Sequence, residues 1–171
     1  MSLIVSDTNV FVALHKTNLL MKVFSNARVS VHIPFKIYEE LTLARHRVYR
    51  EYPQLSQLIN NLVYNQSHGH PISLTMTKIQ NSLFSMPALQ AHCLLEEESS
   101  IGPGEMEAIP LSIEFAGIFI SCDADAMTEY QAIADKNGSS GFLFIEYCRN
   151  LIGQQVITQS EFNAIEIAIT T

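Results

Sequence analysis

The stretch Leu3-Ile4-Val5-Ser6-Asp7-Thr8-Asn9 constrains this chain most. An apolar run ends in a single acid, two small polar residues follow, and apolar residues resume at Val10. A short buried strand reads this way when it delivers a carboxylate to its own carboxyl end. In open α/β sheets that edge is where ligands bind. Ile118-Phe119-Ile120-Ser121-Cys122 repeats the pattern and runs into Asp123-Ala124-Asp125. Two such strands predict a three-layer α/β/α fold around a mainly parallel sheet. An acid after a strand serves equally well as a helix cap, so the reading turns on whether further acids reach the same edge.

Two helices supply candidates. Pro34 suits a helix start. In the stretch that follows, Ile37, Leu41 and Ala44 form one stripe, with Glu40 at its edge and Glu39 pointing nearly the opposite way. A carboxylate on a core-facing stripe is costly unless it is paired or binds a metal. Farther on, Ile101-Gly102-Pro103-Gly104 leads into a second helix. There Glu105 shares a face with Ala108, Ile109, Ser112 and Ala116, while Glu107 lies roughly opposite. Pro110 falls inside this helix, removes a backbone bond and predicts a kink. If the two strands are parallel neighbours, Asp7, Glu40, Glu105 and Asp123 converge. Two carboxylates about 4 Å apart repel by about 4 kcal/mol at an effective dielectric near 20. A hard divalent cation, Mg²⁺ or Mn²⁺, relieves this with all-oxygen ligation and can activate water for displacement at phosphorus.

The net charge of −7 argues against a polyanionic partner until its distribution is considered. Seven of the ten Lys and Arg residues lie in the first fifty positions, and thirteen of the seventeen acids lie from Glu96 onward. A basic flank beside an acidic half can hold a polyanion and a cation together. Arg45, Arg47 and Arg50, with Tyr49 between them, have the composition that grips phosphates and stacks a base. They equally suit a solvated helix end. Val29–Ile33 reads as a strand. Residues 51 to 100 read as a helical insertion, with helices over Leu74–Leu83 and Met86–Glu98 and with Met76, Met86 and Leu89 as core filler. Two histidines, His68 and His70, fall in a turn. Gly141–Leu151 reads as an amphipathic helix and Ser160–Ile169 as the last one. No linker divides the chain, so one domain over 1–171 is expected. Cys93, Cys122 and Cys148 are odd in number, with no CxxC pair, which suits a reducing compartment. No run is long and apolar enough to span a membrane, and a cytoplasmic protein is expected.

In this order and context the motifs resemble those of the PIN-domain nucleases, including VapC-type toxins of toxin–antitoxin pairs. The matching segments are Leu3–Asn9, Ile37-Tyr38-Glu39-Glu40-Leu41, Gly104-Glu105-Met106-Glu107-Ala108-Ile109 and Ser121-Cys122-Asp123-Ala124-Asp125, with Gly138–Ile152 as the Gly-led helix after the last acid. The resemblance implies Mg²⁺- or Mn²⁺-dependent hydrolysis of RNA phosphodiesters, with Asp7, Glu40, Glu105 and Asp123 as catalytic, metal-holding acids. Thr8, Asn9 and Asp125 would be their polar neighbours. It also implies a homodimer and a protein antitoxin as partner. Two departures stand out: Pro110 inside the third motif, and no evident strand after Asp125. Two other readings fit parts of the pattern. One is a PIN-like fold that binds or scaffolds without catalysis. The other is a haloacid-dehalogenase-like phosphatase with a strand-end Asp nucleophile, although that chemistry pairs the nucleophile with an acid two residues later and Asn9 stands there.

Overall fold

A computed structural model describes the chain except residues 26–28, 65–71, 73, 79–84, 98–100, 135–138 and 171. Its centre is a five-stranded sheet of β1 (Ser2–Val5), β2 (Ser30–Pro34), β3 (Leu74–Thr77), β4 (Ile118–Ser121) and β5 (Ser140–Leu143). The strands are parallel throughout, in the order β3-β2-β1-β4-β5. From β1 the chain builds outward to β2 and β3, then crosses back to place β4 on the other side of β1. The carboxyl ends of β1 and β4 therefore flank a topological switch point, where open α/β sheets form their binding crevice.

Alternation along the strands decides what packs on each face. Leu3, Val5, Val31, Ile33 and Ile120 enter one core with α1 (Thr8–Lys16), α2 (Leu20–Phe24), α3 (Phe35–Thr42), α5 (Pro53–Tyr64), α9 (Phe144–Gly153) and α10 (Gln159–Thr170). Ile4 and Phe119 point the other way, into a smaller core with α6 (Met86–Glu96), α7 (Pro103–Glu114) and α8 (Ala124–Ala134). The result is the expected three-layer α/β/α arrangement. The short helix α4 (Arg47–Glu51) buries no residue.

Four expectations need correction. Leu74–Thr77 is a strand rather than the start of a helix: its alternating Thr residues suit a pleated edge, and it pairs with β2 from Val31 opposite Leu74 to Pro34 opposite Thr77. Residues 51–100 are thus no purely helical insertion, because they supply a sheet edge as well as helices to both faces. Residues 141–143 are likewise strand, and the helix begins only at Phe144. Gly141 hid this strand from a propensity reading; it is needed because a Cβ there would overlap the Tyr130 ring. Finally, Met86 and Leu89 are 66% and 40% exposed, and the buried face of α6 is Ala88, Ala91 and Leu95. The turn with His68 and His70 lies outside the described residues.

Candidate functional site

Asp7 leaves β1 in extended conformation and caps α1 itself, a role for which Thr8 and Asn9 were equally suited by residue type. Its Oδ1 accepts the Asn9 N–H at 2.8 Å, and its Oδ2 accepts the Cys122 N–H at 3.1 Å from the end of the neighbouring strand. The register that sets Val5 opposite Ile120 brings these groups level. The junction is fastened from below by Ser6, whose Oγ and backbone N both donate to the Ile120 carbonyl, at 2.9 and 3.0 Å. Asp123 follows the same plan: its Oδ1 accepts the Asp125 N–H at 2.8 Å, and its own N–H donates to Ser121 Oγ at 3.0 Å. Asp123, not Asp125, therefore binds the first turn of α8, and Asp125 is left exposed.

The two glutamates arrive from α3 and α7. Glu105 stands in the first turn of α7, upstream of Pro110, and the helix continues through that buried proline to Glu114. Pro110 thus leaves Glu105 where the helical spacing predicts. Two glycines set its approach. A Cβ on Gly104 would overlap the Ile37 side chain and lie 3.2 Å from the Ser6 carbonyl oxygen, so the start of α7 lies tight against the end of β1. A Cβ on Gly102 would overlap the Glu105 carboxylate.

A pocket of about 190 Å³ is lined by Asp7, Thr8, Glu40, Gly102 and Glu105, among others. It adjoins two more cavities. Glu105 and Gly102 also line one of about 250 Å³ with Asp123, Asp125 and Glu129. Thr8 and Glu40 also line one of about 210 Å³ with Asn9, His46, Arg47 and Tyr52. The four acids thus border neighbouring hollows that share lining residues at one sheet edge. Among the described residues, no three Asp, Glu, His or Cys side chains are drawn close enough to clasp an ion.

Electrostatics link the four. Burial raises the pKa of Asp7 above its ordinary 3.8, the N–H groups of Asn9 and Cys122 oppose this, and the charge of Asp123 adds to it. Glu40 is raised by burial and then by Asp7 and Glu39. Glu105 is raised by burial and by the charges of Asp123 and Asp7, with backbone hydrogen bonds at Glu105 and Gly102 opposing. Asp7, Glu40 and Glu105 each feel the charge of another member of the set. The Cys122 thiol is pushed far up, first by burial and then by Asp7, and stays neutral.

Glu39 and Glu107 stand apart, as their helical phase predicts: Glu39 pairs with Lys36 at 3.3 Å, and Glu107 accepts the Lys36 N–H at 3.1 Å. Among the described residues, Arg47 is the one arginine lining the cavity beside Glu40, and it pairs with Glu51 at 2.9 Å. Arg45, whose Nε donates to His46 Nε2 at 3.3 Å, and Arg50 are exposed nearby. Sequence reasoning missed Gly102, His46, Glu129 and the Cys122 N–H. Only the last had a signal, in the parallel between the two strand ends. The chain matches no protein-family model, no curated protein and no solved structure.

Proposed function

We propose that this protein is a metal-dependent nuclease that hydrolyses RNA phosphodiester bonds, with Asp7, Glu40, Glu105 and Asp123 holding Mg²⁺ or Mn²⁺. One observation carries the reading. Acids from two adjacent strand ends and two helix faces border neighbouring hollows that share lining residues at the switch point of a parallel sheet, and burial together with mutual charge raises the pKa values of Asp7, Glu40 and Glu105. The donor set is all oxygen and suits a hard cation. Each Asp7 oxygen accepts one backbone N–H bond and keeps a lone pair for a ligand. When bound, such a metal supplies Lewis-acid chemistry and activation of water.

The chain's own residues do the rest. The backbone N–H groups of Asn9 and Cys122 fix the Asp7 carboxylate, so its orientation costs nothing at the moment of reaction. Thr8, Asn9 and Asp125 offer polar contacts beside the acids. Arg47, with Arg45 and Arg50, gives the phosphate backbone a cationic approach on the side away from Asp125 and Glu129. A role as the toxin of a toxin–antitoxin pair, acting as a homodimer in the cytoplasm, belongs to the same proposal and follows from the resemblance of the motifs.

A binding or scaffold module without catalysis is favoured by one observation: the acids are not preassembled at ligating separation. Cleavage of single-stranded RNA with Mn²⁺, with and without EDTA, separates the two. Metal-dependent cleavage that disappears in Asp7→Asn supports the nuclease; RNA binding with no cleavage supports the module.

A further inference from the structure

The pocket among the acids shares one wall residue, Pro103, with a fourth and larger cavity. The larger one measures about 490 Å³ and is walled by Phe35, Lys78, His92 and Met106. That volume falls in the range of roughly 300–1000 Å³ that holds small-molecule-sized groups. The pocket among the acids, at about 190 Å³, does not.

Shape and charge narrow the occupant. Phe35, Pro103 and Met106 give apolar surface. The Lys78 ammonium lies 3.8 Å from the centroid of the Phe35 ring, a cation–π contact. Both side chains line the cavity, so a ring face is presented there under a cation on a flexible stem. Two carboxylates also line the cavity, and both are engaged: Glu107 with the Lys36 N–H at 3.1 Å, Glu96 with His92 Nε2 at 3.1 Å. With Lys36 and Lys78 they leave the wall close to neutral, which suits an uncharged group. His92 Nδ1 is buried with no hydrogen-bond partner among the described residues. A flat, neutral aromatic group with donors and acceptors along its edge fits these walls, and among parts of an RNA that is the base.

The shared wall at Pro103 sets the path. Asp125 and Glu129 turn a polyanion away from one side of the acid pocket, and Arg47 and His46 receive it on another. A strand that enters past Arg47 and crosses Glu40 and Asp7 leaves over Pro103. We infer that the cavity walled by Phe35, Lys78 and Met106 is a nucleobase subsite, which takes one unstacked base of a single-stranded RNA beside the phosphate held at the acids. The inference rests on the nuclease reading. On entry the base takes the Phe35 face, and Lys78 turns to the adjoining phosphate.

The test is binding of single-stranded RNA oligonucleotides, each with one 2-aminopurine at a different position, with Ca²⁺ in place of Mn²⁺ so that an oxygen-ligated cation stands at the acids, and with the RNA checked to be intact after each titration. Wild type should quench the probe at one position. Phe35→Leu, which keeps apolar volume but removes the ring, should bind about tenfold more weakly and lose the quench; Phe35→Tyr should stay within about twofold. Thermal melts confirm that both variants fold. Lys78→Ala should lower the salt slope of binding by about one phosphate's worth, and it carries the test if Phe35→Leu unfolds. Unchanged affinity and quenching in Phe35→Leu, an unchanged salt slope in Lys78→Ala, or RNA binding with no quench at any position would overturn the subsite; a cavity built for a peptide gives the last result. Mn²⁺-dependent cleavage by wild type is measured in parallel. If cleavage occurs, such a failure removes the subsite alone. If it does not, the nuclease reading has failed too.

Discussion

Glu40 costs the metal-free protein stability, because burial and the charges of Asp7 and Glu39 all raise its pKa and no hydrogen bond among the described residues offsets them in the way Asn9 and Cys122 offset Asp7. Glu40→Gln should therefore raise the melting temperature without metal. This side chain is only partly buried and water screens it, so the gain is a few tenths of a kcal/mol to about 1 kcal/mol, on the order of 2 °C. A drop in melting temperature would mean that Glu40 has a compensating partner. Gly102 poses a different question. The atom that a new Cβ would meet is the Glu105 carboxylate, the free end of a flexible side chain. Gly102→Ala should leave stability within about 0.5 kcal/mol yet move that carboxylate from the pocket. Cleavage should fall at least tenfold, about 1.4 kcal/mol of barrier, while thermal melting hardly changes. Full activity in this variant would remove Glu105 from the reaction.

Among the elements, α4 bears the clearest expectation. It buries no residue, so changing its charges should not disturb the fold. Replacing Arg45, Arg47 and Arg50 by Glu should weaken RNA binding in every sequence and flatten its dependence on salt, by about one unit of slope for each phosphate no longer neutralised. A slope equal to that of wild type would take α4 off the RNA path. Elements also show where sequence was informative. β1 and β4 were plain because each is buried on both faces and reads as an unbroken apolar run. Glu40 and Glu105 line the pocket from α3 and α7, but Ala44 and Ala116, read on the same stripes, lie past the helix ends and are exposed, because a 3.6-residue period fixes direction only while the helix lasts. The edge strands β3 and β5 were misread for the opposite reason: they are partly exposed, and β5 contains a glycine, so pairing with a neighbour rather than local preference makes them strands. α6 was legible as a helix but not in its orientation. Its apolar residues surround the axis, and only the tertiary packing selects Ala88, Ala91 and Leu95 as the buried face. Gly102 and Gly104 carried no signal because their role is an absence of side chain against partners that only the folded chain brings near.

For the whole molecule, the raised acids make stability depend on pH in a direction that can be worked out. Asp7, Glu40 and Glu105 bind protons more tightly when folded than at their ordinary 3.8, 4.5 and 4.5. The folded state then holds more protons than the unfolded one, and the stability of the metal-free protein must fall as pH rises from those values through the raised ones. Glu161, held low chiefly by Lys22 at 2.7 Å, has the opposite slope, but this exposed pair contributes little. A divalent cation that binds only the folded form reverses the loss. At a hundredfold excess over its dissociation constant it adds about 2.7 kcal/mol, or roughly 5–11 °C for a chain of this length. Because protons and metal compete for the same oxygens, the Mn²⁺-induced rise in melting temperature should be large at pH 8 and small at pH 5. Asp7→Asn should abolish it at both, and with it cleavage, by about a thousandfold or more. Calorimetric melts across pH, with Mn²⁺ and with EDTA, read the whole relation in one series. A shift that ignores pH, or that survives intact in Asp7→Asn, would place the ion elsewhere and leave Asp7 and Asp123 as helix caps and nothing more.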